Sequence, residues 1–207
     1  MFKITDEIKE DFQFDIILCA PAYTLEECLK STAHRKYSVF ERNETDDIDS
    51  LVKMIKENFR AAVFMLNKEK HDFLKVAIQM TEKKEPLAEM LKHQPLGLFT
   101  RHDYLFLYLH GEQLDLVMPE ELIEIYRFAT AEETFTTQNE RNLKLYSYAC
   151  ALLNIYGIYE ATQFVTVWNQ HNKDKIEDEQ AEKFLIDRMN FHSDYWIEDD
   201  FVIHDCL

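Results

Sequence analysis

Glycine and proline are what this chain has least of, with three glycines and four prolines in 207 residues. Glycine normally makes up ~7% of a protein. So low a share nearly excludes long flexible linkers and glycine-lined phosphate loops. Cysteine is scarce too. Cys19, Cys28, Cys150 and Cys206 show no C-x-x-C spacing, which argues against zinc ribbons and points to free thiols in a reducing compartment. No uninterrupted apolar run approaches the length of a membrane-spanning helix. The opening M-F-K-I-T-D-E-I-K-E is charged where a secretory leader is apolar. A cytoplasmic protein with no membrane span is expected, long enough to bury a core as one domain or two.

Acid is what it has in excess. The formal charge is −16, from 39 acidic and 23 basic side chains. Such a balance repels the phosphate backbone of nucleic acid unless the positive charge gathers on one face. The distribution is uneven: residues 1–50 carry −6, 51–100 carry +3, 101–150 carry −5 and 151–207 carry −8.

The clearest β signal lies between Leu96 and Glu121. Tyr104 to Leu109 is apolar and aromatic, Gly111 sits in a short polar connection, and Leu114 to Met118 alternates until Pro119. A hairpin within 98–118 is expected. A second, smaller one is expected in the tail, where Tyr195-Trp196-Ile197 and Phe201-Val202-Ile203 flank Glu198-Asp199-Asp200. Elsewhere the apolar period is helical. Phe12 to Leu18 fits a short strand or a buried helical turn equally well. Thr24 to Glu27 is a capping box for a short helix bearing Leu25, Cys28 and Leu29. Ile48, Leu51, Val52, Ile55, Phe59, Ala62, Val63 and Leu66 form one stripe, capped by Thr45 or Asp46 and ended by Asn67. A second helix is expected over 68–81 and a third over 86–93, with Pro86 in its first turn and Gly97 as its terminator. Beyond the hairpin, helix resumes from Pro119 to Ala129. Ala131 to Asn139 reads as a linker, and helices follow over 142–156, with Leu143, Tyr146, Cys150 and Leu153 inward, then around Ala161–Trp168 and over 177–189.

The fold class expected is therefore mainly α with a small β component, in two parts. Residues 1–130 would form a winged-helix-like domain with its hairpin near 98–118, and 140–207 a helical domain with a small terminal hairpin. Two resemblances bear on this. The order of elements in 48–118 is that of a winged helix, and the run from Leu87 through L-K-H-Q-P-L-G-L-F to V-M-P-E-E-L resembles winged-helix segments. Asn154 to His204, with N-I-Y-G-I, Phe164, Asn169 and D-D-F-V-I-H, is similar to a helical module of uncharacterised bacterial proteins. Some of those proteins end in a cysteine-rich zinc knuckle, which this chain lacks. The likeness implies a fold neighbourhood and carries no catalytic residue across.

Signals of chemistry are thin. There is no H-E-x-x-H, no G-x-S-x-G and no glycine beside any serine. His192, His204 and Cys206 stand close along the tail, with Asp205 available to join them, and are the candidate metal ligands. The aromatics Tyr146, Tyr148, Tyr156, Tyr159, Phe164 and Trp168 fit a core better than a ligand pocket. No motif implies a cofactor. For nucleic acid, Lys83, Lys84, Lys92 and Arg101 are the candidate contacts, around helix 86–93 and the hairpin. That helix presents Glu89, Lys92 and His93 but no arginine, asparagine or glutamine in its first turns to fork onto base edges. The reading that follows is a regulatory, non-enzymatic interaction protein whose partner is another protein. A DNA-binding regulator, an enzyme or metal protein with an unrecognised site, and an acidic DNA mimic are the alternatives.

Overall fold

The computed structural model describes residues 16–32, 47–86, 96–191 and 194–206. The chain is mainly helical, with a small sheet component. It divides into two compact units, Met1–Val63 with Asn67–Ala131, and Phe64–Leu66 with Glu132–Leu207.

In the first unit the described elements are β1 (Ile16–Ile17), α1 (Leu25–Ser31), α2 (Ile48–Val63), α3 (Lys68–Lys83), α4 (Leu96–Arg101), β2 (Phe106–His110), β3 (Gln113–Val117) and α5 (Glu120–Ala131). The hairpin is the expected one. Phe106 pairs with Val117 and His110 with Gln113, leaving Gly111 and Glu112 as the loop. Gly111 takes φ +65°, which glycine adopts without steric cost. The ambiguous N-terminal patch contributes a strand, since Ile16 and Ile17 pair in parallel with Leu107 and Tyr108. Around the sheet, Phe59 meets the edge of Tyr104 at 4.8 Å and Phe73 stacks on Phe99 at 5.5 Å. Thr81, buried on α3, accepts from Met118 N–H at 2.9 Å and also contacts the Leu116 carbonyl at 3.3 Å.

Several local expectations change here. Asp47 stands at the start of α2, accepting from Asp49 N–H at 3.3 Å and from Ser50 Oγ at 3.2 Å, while the expected caps Thr45 and Asp46 lie outside the described residues. Residues 33–46 lie outside the described ones. Asn67 does not end α2; its side chain caps α3 by accepting from Lys70 N–H at 3.0 Å. Gly97 does not terminate a helix but lies inside α4, as does Leu98, so the paired strands begin only at Phe106. Pro86 forms an isolated antiparallel bridge with Asp115 rather than standing in the first turn of a helix. The rest of the expected recognition helix, 87–93, lies outside the described residues.

The second unit holds α6 (Phe135–Tyr156), β4 (Ile158–Glu160), α7 (Ala161–His171), α8 (Asp178–Phe191), β5 (Tyr195–Glu198) and β6 (Phe201–His204). The stretch that reads as a linker is, from Phe135 on, the first turns of α6. Its polar residues are tied to backbone: Asn139 Nδ2 donates to the carbonyls of Phe64 and Leu66 at 3.1 and 2.9 Å, and Asn142 Nδ2 to Phe64 at 3.2 Å. The inward face of α6 is Leu145, Ala149, Leu152 and Leu153, turned from the expected stripe so that Leu143, Tyr146 and Cys150 are only half-buried. Gly157 closes α6 at φ +72° and accepts from His204 N–H at 2.9 Å. The core gathers Phe164, Trp168, Ile176, Phe184, Leu185 and Val202 around that face. Trp168 Nε1 donates to the Asp174 carbonyl at 2.6 Å, and Asn169 both donates to and accepts from the backbone of Ile176 at 2.9 Å. The tail hairpin forms as expected and adds to β4 in the order β4–β6–β5.

Candidate functional site

Where the tail hairpin turns, the second unit has a groove of about 300 Å³. Three elements build it. Glu160, Ala161, Thr162 and Val165 come from the start of α7; Asp178, Glu182 and Leu185 lie along one face of α8; the hairpin end supplies Ile197 and Asp199 to Val202. Spacing explains the α8 contribution, because positions four and three residues apart share a helical face. The hairpin is anchored to α7 by Ala161 N–H donating to the Asp200 carbonyl at 2.9 Å. Asp199 occupies the left-handed region at φ +53°, which aspartate tolerates better than most residues.

The lining has a distinct electrostatic character. Its floor is apolar, with Ala161, Val165, Leu185, Ile197 and Val202. Its rim carries Glu160, Asp178, Glu182, Asp199 and Asp200, and among the described residues no lysine, arginine or histidine lines it. Glu160 and Asp178 sit at helix N-termini, where the helix dipole favours negative charge. The dipole does not explain Glu182, Asp199 and Asp200.

Strand register extends this surface. Ile158, Ile203 and Trp196 face one another across the three strands, and the next row on that side is Glu160, Phe201 and Glu198. Ile158, Trp196 and Phe201 are 46, 37 and 41% exposed. Phe201 and Glu160 also line the groove, so the groove and the aromatic side of the sheet are continuous.

A buried polar group lies elsewhere in the same unit. Arg188 packs its guanidinium 3.8 Å from the Tyr146 ring centre and donates to the Met65 carbonyl at 3.1 Å. Tyr146 donates to Asp194 at 3.0 Å, and Tyr195 to the Leu185 carbonyl at 2.9 Å. Burial pushes the Cys150 thiol up, the opposite of what activates a nucleophile. The arrangement reads as core support, and the expectation that the aromatics pack as core holds for Tyr159, Phe164 and Trp168, while Tyr156 is exposed.

The candidate metal ligands are only partly brought together. His204, Asp205 and Cys206 place donor atoms within 4.8 Å of one another; His192 lies outside the described residues. Those donors are engaged with each other: Cys206 N–H donates to His204 Nδ1 at 3.1 Å, and the Asp205 carboxylate is 3.0 Å from that nitrogen. Asp205 also holds the Cys206 thiol above its ordinary value. Of the nucleic-acid candidates, Lys83 and Lys84 end α3, with Lys84 over the Tyr23 ring at 4.9 Å, and Arg101 ends α4. Lys92 lies outside the described residues.

Sequence reasoning misses the groove. Its carboxylates come from three separated stretches, and Asp199-Asp200 alone reads as ordinary turn chemistry. The available signal is the coincidence of an acidic turn with alternating aromatics on both flanking strands. Comparison with known families, curated proteins and solved structures gives no match to this chain.

Proposed function

We propose that this chain is a non-enzymatic interaction protein, regulatory in role, whose second unit binds a basic segment of another protein through the groove. One observation carries the reading: an apolar floor rimmed by five carboxylates, with no cation among its described lining residues. Apolar contact supplies affinity and the rim selects for positive charge. Residues 132–207 carry 15 acidic and 6 basic side chains, so the surrounding field steers the same kind of partner. No helix among the described residues is long and apolar enough to cross a membrane. The reading places the protein in the cytoplasm, with its cysteines as thiols.

For the first unit, the order of α2, α3 and the β2–β3 hairpin agrees with the winged-helix reading, whose third helix, 86–93, lies beyond Pro86 outside the described residues. The alternative of DNA binding has no observation comparable to the groove. The test is selection from a displayed peptide library. Enrichment of lysine- and arginine-bearing sequences whose binding is lost in Glu182→Lys and Asp200→Lys variants is expected. Enrichment indifferent to charge, or unaffected by both variants, overturns the assignment.

A further inference from the structure

Resting on the reading of this unit as a receptor for a basic segment, we propose that the segment is an amphipathic helix laid along the outer face of the β4–β6–β5 sheet. Tyr159, Val202 and Tyr195 turn into the core of the unit, so strand alternation sends their neighbours to the opposite face. Two rows of three form that face: Ile158, Ile203 and Trp196, then Glu160, Phe201 and Glu198. An antiparallel sheet with one side in water is ordinarily polar on that side. Here four of the six residues are apolar, and Ile158, Trp196 and Phe201 stay exposed.

Width selects a helix. Neighbouring strands lie about 4.8 Å apart, so three of them make a face about 10 Å wide, the diameter of one helix. A sheet is covered by helices or by another sheet, and a single segment cannot supply a sheet of its own. Ile158, Ile203 and Trp196 give an apolar bed across all three strands. In the second row the carboxylates stand on β4 and β5, and Phe201 stands between them on β6. A helix lying over β6 therefore meets an aromatic ring beneath its axis and an acid on either side.

That row fixes the pattern of the occupant. Apolar residues recur at three and four positions along one stripe, and lysine or arginine flanks the stripe on both sides. Long cationic side chains lay their methylenes on the apolar row while their charges reach Glu160 and Glu198. A second copy of this chain fits less well. A two-fold contact lays the face on itself, gathering both copies' Glu160 and Glu198 with no lysine or arginine in either row to meet them.

The experiment uses the full chain and synthetic peptides of about fourteen residues, an ordinary helix length, with affinity measured by calorimetry. The first carries a leucine stripe flanked by lysine on both sides. The second replaces lysine by glutamate on one flank. The third has the first one's composition with leucine and lysine in strict alternation, a period no helix face presents. The first is expected to bind at least tenfold more tightly than the third and to gain helical far-UV dichroism on binding. Trp196 and Glu198 do not line the groove, and Glu182 does, so variants separate the two surfaces. Trp196→Ser and Glu198→Lys should each weaken the first peptide at least tenfold, and Glu198→Lys should regain affinity for the second. Equal binding of the first and third peptides overturns the helix. Binding indifferent to Trp196→Ser and Glu198→Lys but lost in Glu182→Lys also overturns it and leaves the groove reading standing. Binding that needs Trp196 and Glu198 but ignores Glu182→Lys and Asp200→Lys supports the helix and overturns the groove. A dimer in sedimentation that Trp196→Ser dissolves gives the face to a second copy and overturns the helix. No binding by any peptide overturns both readings.

Discussion

Among single residues, His71 makes the sharpest statement about stability. It is 8% exposed on α3, and its Nδ1 lies 3.2 Å from the Tyr126 hydroxyl. Burial, aided by Lys75, lowers its pKa from 6.5 to about 4. The fold therefore holds the neutral ring, whereas the unfolded chain takes up a proton near pH 6.5. The stability this contributes is complete above pH 6.5 and is lost as pH falls towards 4. A depression of that size corresponds to about 3 kcal/mol across the window. Urea unfolding at steps from pH 7 to 4.5 should show the loss, and His71→Gln should flatten that limb. An unchanged pH slope in the variant means that the ring is not held neutral. The alkaline counterpart is Tyr126, whose phenol is pushed up to about 12 by burial and Asp72; its contribution is lost as pH rises from 10 through that value.

At the scale of elements, Thr81 ties α3 to the end of β3. Its hydroxyl accepts from Met118 N–H and contacts the Leu116 carbonyl, in a site 5% exposed. Thr81→Val keeps the shape and leaves that N–H without its partner, which costs about 1–3 kcal/mol. Chemical denaturation followed by far-UV circular dichroism would measure it, and a change under about 0.5 kcal/mol, the usual scale of surface substitutions, would show that the link carries no weight. Thr81 also shows what sequence does not supply. Its position within helix α3 is legible from the stripe of Phe73, Leu74, Ala77 and Ile78, because helical period is written locally. Its bond to a backbone 37 residues away is not. The same division runs through the chain. Both hairpins are readable where apolar residues alternate around Gly111 and around Asp199-Asp200, since turn and strands are neighbours in sequence. Asn139 reads as linker because its value lies in the carbonyls of Phe64 and Leu66, and polarity alone does not reveal a satisfied contact. Gly97 misleads because a glycine marks a helix end only when the backbone needs positive φ, and Gly97 stays inside α4. The groove requires the register of β5 on β6 and the facing of α7 and α8, none of which is local.

For the molecule as a whole, charge decides between its possible partners. The formal charge is −16, and the one positive quarter, residues 51–100, already spends part of its charge on its own carboxylates. Lys53 lies 4.0 Å from Glu57, Lys75 3.1 Å from Asp72 and Lys83 3.9 Å from Glu85. These exposed pairs add little stability, but they lower the positive potential that a phosphate backbone would meet. A duplex binder gains affinity by releasing counterions, so its binding falls steeply and linearly on a log–log plot against salt. Fluorescence anisotropy with a labelled duplex at low ionic strength should show affinity no greater than that of an acidic control protein. Binding to cationic peptides should instead weaken as salt rises, because the rim carboxylates of the groove are exposed and screened. Tight duplex binding with a steep salt slope, abolished by Lys83→Glu with Lys84→Glu, would transfer recognition to the first unit and remove the groove from its central place.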